Sequence, residues 1–121
     1  MMGHVYMTVK LGSRNGHTLK HTLVDTGAWY TFVKPSVIKK IDAKYLYTDE
    51  IELGNKKIVK AKVFVAPISY GKRRFKGAMI ATFDKCATAI GTQALEGMGI
   101  WIDARNKKIV AERPANIMYY H

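Results

Sequence analysis

"HTLVDTGAWYTFV", residues 21–33, sets a single carboxylate between two apolar runs. The first run climbs to Val24, Asp25 interrupts it, the chain turns on Gly27, and apolar residues resume through Val33. An aspartate at the end of an apolar strand is partly withdrawn from water and needs a compensating partner. The ordinary reading is an Asp whose side chain closes a local turn, and Asp-Thr-Gly tripeptides arise by chance. Here the tripeptide stands in a longer frame, "LVDTGA", and a second frame follows later, "AIGTQALEGMGIWID", in which an apolar pair and Gly91 lead into a helix.

Around these frames the apolar residues recur at every second position, the period of a half-buried strand. Val5, Met7, Val9 and Leu11 share one face of a first strand. Leu19, His21 and Leu23 share one face of a second, with Arg14-Asn15-Gly16 as the hairpin turn between them. Beyond Asp25, "AWYTFV" reads as a buried strand. Pro35 then opens a short helix, "PSVIKKI", at a first-turn position where its missing N–H does no harm. Two long alternating runs, "YLYTDEIEL" and "KKIVKAKVFVAPI", meet at Gly54-Asn55 as a long hairpin. A second hairpin turns at Tyr70-Gly71-Lys72-Arg73 and returns through "FKGAMIAT". "TAIG", residues 88–91, is a short apolar strand end, and "TQALEGMG" fits a two-turn helix capped by Thr92 and stopped by Gly97 and Gly99. A last hairpin, "IWID" and "KKIVAE", turns around Ala104-Arg105-Asn106. The pattern predicts one mostly β domain over 1–121, a closed or partly closed barrel with one or two short helices.

Composition narrows the function classes. A chain of 121 residues can bury roughly two-thirds of its unfolded surface. No apolar stretch approaches the ~20 residues that span a bilayer, so no membrane partner is expected. "MMGHVYMTVK" lacks the basic-then-apolar order of a signal peptide. One cysteine, Cys86, excludes an internal disulfide framework and points to a reducing, cytoplasmic setting. A lone cysteine is most often a small buried hydrophobe. The net charge of +11 raises nucleic acid as a partner. Its lysines and arginines are nevertheless spread along the chain, and the densest group, "GKRRFKG" at 71–77, falls on a hairpin turn where a solvated loop is expected.

Other chemistries fit poorly. His17 and His21 have the spacing of a helical metal pair, but on a strand four residues cover ~13 Å and one ion cannot bridge them. No cysteine pair completes a metal site. Ser13, Ser36 and Ser69 do not stand in a strand-to-helix elbow of the kind that exposes a nucleophile. A basic barrel that stacks bases on Tyr45, Tyr47, Phe64 or Phe75 is retained as a rival, although strand aromatics commonly serve packing.

At the two frames the sequence resembles the retropepsin-like aspartic proteases, the half-length relatives of pepsin. Asp25-Thr26-Gly27-Ala28 matches their catalytic motif, and Ala89-Ile90-Gly91 with "TQALE" matches their apolar-apolar-Gly motif and its helix. The resemblance runs over residues 4 to 112 and is closest to microbial and archaeal members. Viral relatives often follow the second glycine with Arg and an acidic or amide residue. Here Thr92 and Gln93 stand instead, so those inter-subunit contacts do not carry over.

The resemblance implies a closed β-barrel active as a two-fold homodimer, with one Asp25 from each copy, acting as an aspartic endopeptidase on a peptide or protein substrate without metal or cofactor. It implies that Thr26 ties the two active-site loops together and that Gly27 and Ala28 let substrate approach. It implies a hairpin flap, here assigned to Leu53, Gly54 and Asn55, and the packing of Gly91 behind the catalytic loop. The alternatives are a protease-like dimer that binds peptide or protein without cutting it and the basic nucleic-acid-binding barrel. The intact Asp-Thr-Gly favours the enzyme.

Overall fold

A computed structural model of the protein describes residues 4–103 and 105–111. Ala104 of the last turn and the terminal segments "MMG" and 112–121 lie outside the described residues. The fold is mostly β with two short helices. β1 (Tyr6–Leu11), β2 (His17–Leu23), β3 (Thr31–Phe32), β4 (Lys44–Glu52), β5 (Ile58–Tyr70) and β6 (Arg73–Thr82) form one sheet, while β7 (Ile100–Asp103) and β8 (Lys108–Ala111) form a separate ribbon. Helices α1 (Pro35–Ile38) and α2 (Thr92–Met98) complete it. Among the described residues no helix is long and apolar enough to cross a membrane.

The sheet runs β2-β1-β5-β6-β3, with β4 attached, among the described residues, to β5 alone. β5 reaches three partners because its sequence changes character at Pro67. One edge pairs β6 from Lys62 to Tyr70; the other pairs β4 up to Val65 and β1 from Ile68. Pro67 has no N–H to give a ladder, and it falls at the β5–β6 register shift between Ala66 and Ile68. Its carbonyl accepts the Gly12 N–H at 2.8 Å, which docks the β1–β2 loop there.

Among the described residues the expected closed barrel is not formed. The ladder path ends at β2 and β3, and between these ends the described residues place only the single bridges Val24–Ile90 and Phe32–Ala89. The seam stays open because residues 25–30 leave the sheet to make the Asp25 turn, and Ala89–Ile90 is too short to form a ladder on either side.

Five sequence expectations change in detail. His21 points outward rather than sharing the face of Leu19: its φ of +44° lies at a bulge between the Met7 and Val9 pairings, so Thr22 is buried in its place. The exposed His21 ring stacks on Tyr6 at 4.3 Å. The β1–β2 turn is not a tight Asn-Gly hairpin; the left-handed residue is Gly12, at φ +85°, and Asp42 closes the loop by accepting the Ser13 N–H and hydroxyl. Of "AWYTFV" only Thr31–Phe32 is a strand, and Trp29 is 52% exposed. Helix α2 is capped by Gly91, not Thr92, whose hydroxyl instead donates to Ala28 O at 3.2 Å. Gly97 lies inside α2 rather than ending it; the Phe75 ring packs where its side chain would be, and the left-handed Gly99 makes the stop.

The largest apolar core joins β1, β5, β6 and α2 through Leu11, Ile68, Ile80, Ile90 and Leu95. A smaller one, Ala61, Val63 and Ala81, packs beneath Tyr30, Phe32 and Ile51. The second core matters for function, because it sets β4 and β5 against the chain that follows Asp25.

Candidate active site

Asp25 sits where an apolar strand stops. Its N–H donates to Ile90 O at 2.9 Å, so the second frame holds the first from behind. Its carbonyl accepts the Ala28 N–H at 3.1 Å, closing a four-residue turn, and its Oδ1 accepts the Gly27 N–H at 2.9 Å. The local Asx-type turn foreseen for any Asp-x-Gly is therefore present. It engages one carboxylate oxygen, and among the described residues Oδ2 has no partner. Asp25, Thr26 and Gly27 are exposed on the single chain.

The second frame locks the loop in place. Ile90 N–H donates to Leu23 O at 2.8 Å, and Ala89 exchanges both backbone hydrogen bonds with Phe32, at 2.8 and 3.0 Å. The Gly91 N–H donates to the fully buried Thr31 hydroxyl at 3.1 Å. A Cβ on Gly91 would collide with the Tyr30 carbonyl and lie 2.7 Å from Trp29 O. Only glycine permits the two segments to touch this closely. The first backbone groups of α2 continue the lock, Thr92 N–H donating to Ala28 O at 2.8 Å and Gln93 N–H to Trp29 O at 3.1 Å.

The loop forms the floor of a cleft of about 640 Å³, ample for an extended peptide side chain or two. Asp25, Gly27, Ala28, Trp29, Tyr30 and Phe32 line it from below. Ile51, Glu52, Leu53, Gly54 and Lys56 line it from the β4–β5 hairpin. Of the residues assigned to a flap, Leu53 and Gly54 thus face Asp25 across the cleft. Asn55 does not line it; its Oδ1 accepts the Lys57 N–H at 2.9 Å and shapes the tip. Thr26 is exposed beside the cleft rather than in its lining, and Ala89, Ile90 and Gly91 lie beneath the floor. The tip's left-handed residue is Lys56, at φ +65°, not Gly54.

Three residues at the site were not singled out from sequence. Tyr30 reaches from the floor to β4, donating to Asp49 Oδ2 at 2.8 Å with Tyr47 Oη 3.0 Å away. Burial, and then the bonds to Tyr47 and Asp49, push its phenol well above the usual tyrosine range, so it remains a donor. Thr31 is the buried hydroxyl under Gly91. Gln93 turns its amide to the β6 edge, accepting the Met79 N–H at 2.9 Å and donating to Gly77 O at 2.8 Å. A polar residue beside an apolar run was the available signal in each case, but its partner lies far away in sequence.

Several other sequence candidates have partners within the fold. Arg73 of the basic 71–77 group donates to Met98 O at 3.0 Å and Gly99 O at 3.3 Å, at the negative end of α2. Phe75 packs on Gly97. Tyr45 packs edge-on against Phe64. Cys86 is buried, and burial pushes its thiol up and away from reactive thiolate. Among the described residues no group of three His, Cys, Asp or Glu side chains could hold a metal ion. Compared with models of protein families and with curated protein sequences, the chain finds no match.

Proposed function

We propose that the protein is an aspartic endopeptidase of the retropepsin-like kind, working as a two-fold homodimer. The observation that carries this reading is the placement of Asp25: on a turn clamped by Ile90 and Gly91, at the floor of a cleft roofed by the tip of the β4–β5 hairpin. Its exposure on the single chain supports the dimer, since a carboxylate on the surface can meet its own copy across a two-fold axis.

The chemistry follows from that meeting. Two carboxylates ~3 Å apart, at an effective dielectric of ~20, repel by roughly 5 kcal/mol if both are charged. The pair therefore keeps one shared proton. The ionised member takes a proton from a water as that water attacks the scissile carbonyl carbon. The protonated member donates to the carbonyl oxygen, giving a tetrahedral diol. Proton transfer to the amide nitrogen then breaks the C–N bond and releases acid and amine. Thr26, exposed beside the turn, is placed to bond the partner loop, and the apolar Trp29, Phe32, Ile51 and Leu53 surround the peptide and exclude water.

The test is cleavage of a denatured protein across pH 3 to 8 by wild type and Asp25→Asn, a window that spans roughly the carboxylate range and its upward shifts. Wild type cuts with a bell-shaped profile on the acidic side and the Asn variant does not cut. Equal cutting by both removes Asp25 from the mechanism. Binding of peptide by both, with no cutting, makes the protein a peptide-binding dimer instead.

A further inference from the structure

The hairpin that roofs the cleft is poorly tied to its floor. Among the described residues β4 is an edge strand whose ladder partner is β5 alone, and no ladder joins it to residues 25–33. Among the described residues, the hydrogen bonds between segment 25–33 and segment 44–57 are both made by the Tyr30 hydroxyl, to Asp49 and with Tyr47. Asp49 accepts that donor half-buried on β4, in register with the fully buried Ala61 of β5. The backbone of Tyr30 is itself immobilised, with its carbonyl pressed against Gly91 and its neighbours bonded to α2 and Ala89.

We infer that Tyr30 is a positioning residue for the flap: its hydroxyl pins the stem at Tyr47 and Asp49, so that the hairpin beyond Asp49 swings as a unit over Asp25 and closes in one register on bound peptide. This rests on the protease reading, and it adds a residue that reading does not require. A rigid floor joined to a swinging roof by one polar anchor above the small apolar core gives the closed state a defined height above Asp25. Without the pin, the paired β4–β5 hairpin shifts as a unit on its apolar contacts with the floor, and the closed state becomes one of several. The loss falls on substrate capture, because the pin lies away from the reacting atoms.

Tyr30→Phe keeps the ring in the cleft and removes only the hydroxyl. Its KM, on a fluorogenic peptide taken from the products of a denatured protein, rises about three- to tenfold, the scale of one net hydrogen bond, with a smaller change in kcat. The amides of residues 50–58 exchange with solvent faster by a similar factor, while those of β1, β2 and α2 keep wild-type rates. Asp49→Leu behaves like Tyr30→Phe, and Asp49→Asn, which retains an acceptor oxygen, recovers most of that loss. Unchanged exchange at 50–58 in Tyr30→Phe overturns the inference, as does an equal rise throughout the chain. Asp25→Asn in the same series separates the two ideas. If wild type cuts, Asp25→Asn does not, and the hairpin ignores Tyr30→Phe, the pin is refuted and the protease reading stands. If nothing cuts, the exchange data alone decide: a local rise at 50–58 supports the pin and its absence refutes it.

Discussion

Gly91→Ala is the substitution that most severely tests how the site is assembled. The added Cβ would lie 2.7 Å from Trp29 O and closer still to the Tyr30 carbonyl, both of them backbone atoms. Neither side can retreat freely. Trp29 O accepts the Gln93 N–H at 3.1 Å, Ala28 O accepts the Thr92 N–H at 2.8 Å, and Phe32 and Ala89 share two backbone bonds. Relief requires moving the Asp25 loop away from the second frame at the expense of one or two of these bonds. Overpacking plus those losses amounts to about 2–5 kcal/mol. Against a total stability of about 5–15 kcal/mol this is severe. With a urea slope of about 2 kcal/mol/M the unfolding midpoint falls by about 1–2.5 M, measured at matched protein concentration because the proposed dimer would add concentration-dependent stability. Gly54→Ala is the control, since its Cβ would meet nothing within 4 Å. It should stay within about 0.5 kcal/mol of wild type. A Gly91→Ala midpoint indistinguishable from wild type would refute the close packing of the two frames.

Two further substitutions test the supports around the site. Gln93→Leu keeps the bulk of the side chain and strands the Gly77 carbonyl and the Met79 N–H, and should cost about 2–4 kcal/mol in urea unfolding. Asp42 is held below the usual carboxylate range, first by the Ser13 N–H and then by the Ser13 hydroxyl. A carboxyl lowered on folding contributes stability above its unfolded value and loses that contribution as pH falls through the lowered folded value. The gap in melting temperature between wild type and Asp42→Asn should therefore be present at neutral pH and shrink below about pH 4.

The alternating runs were legible because a strand with one buried face advertises its period, and β1, β4, β5 and β6 stand where the pattern put them. What was illegible depends on groups brought from elsewhere in the chain. The bulge that turns His21 outward is set by pairing with Met7 and Val9. Gly97 looked like a stop because nothing near it in sequence signals that a Phe75 ring needs the space. The expected barrel stayed open because the turn at Asp25 and the brevity of Ala89–Ile90 leave only single bridges at the seam. At the site, the Asp25 turn and the hairpin facing it were both foreseen. The Tyr30–Asp49 bond was not, since a tyrosine in an apolar run reads as packing until its partner strand is known.

The central claim is that each cleft needs an Asp25 from two copies, and subunit mixing tests it directly. Wild type is held at constant concentration and allowed to exchange with a ninefold excess of Asp25→Asn, and peptide cleavage is followed. If the pair spans a two-fold axis and the copies exchange at random, a wild-type chain finds a wild-type partner about one time in ten, and activity falls to about one-tenth. Activity that stays at its starting level after exchange, shown to be complete with differently tagged copies, would mean that one chain suffices and would contradict the shared carboxylate pair.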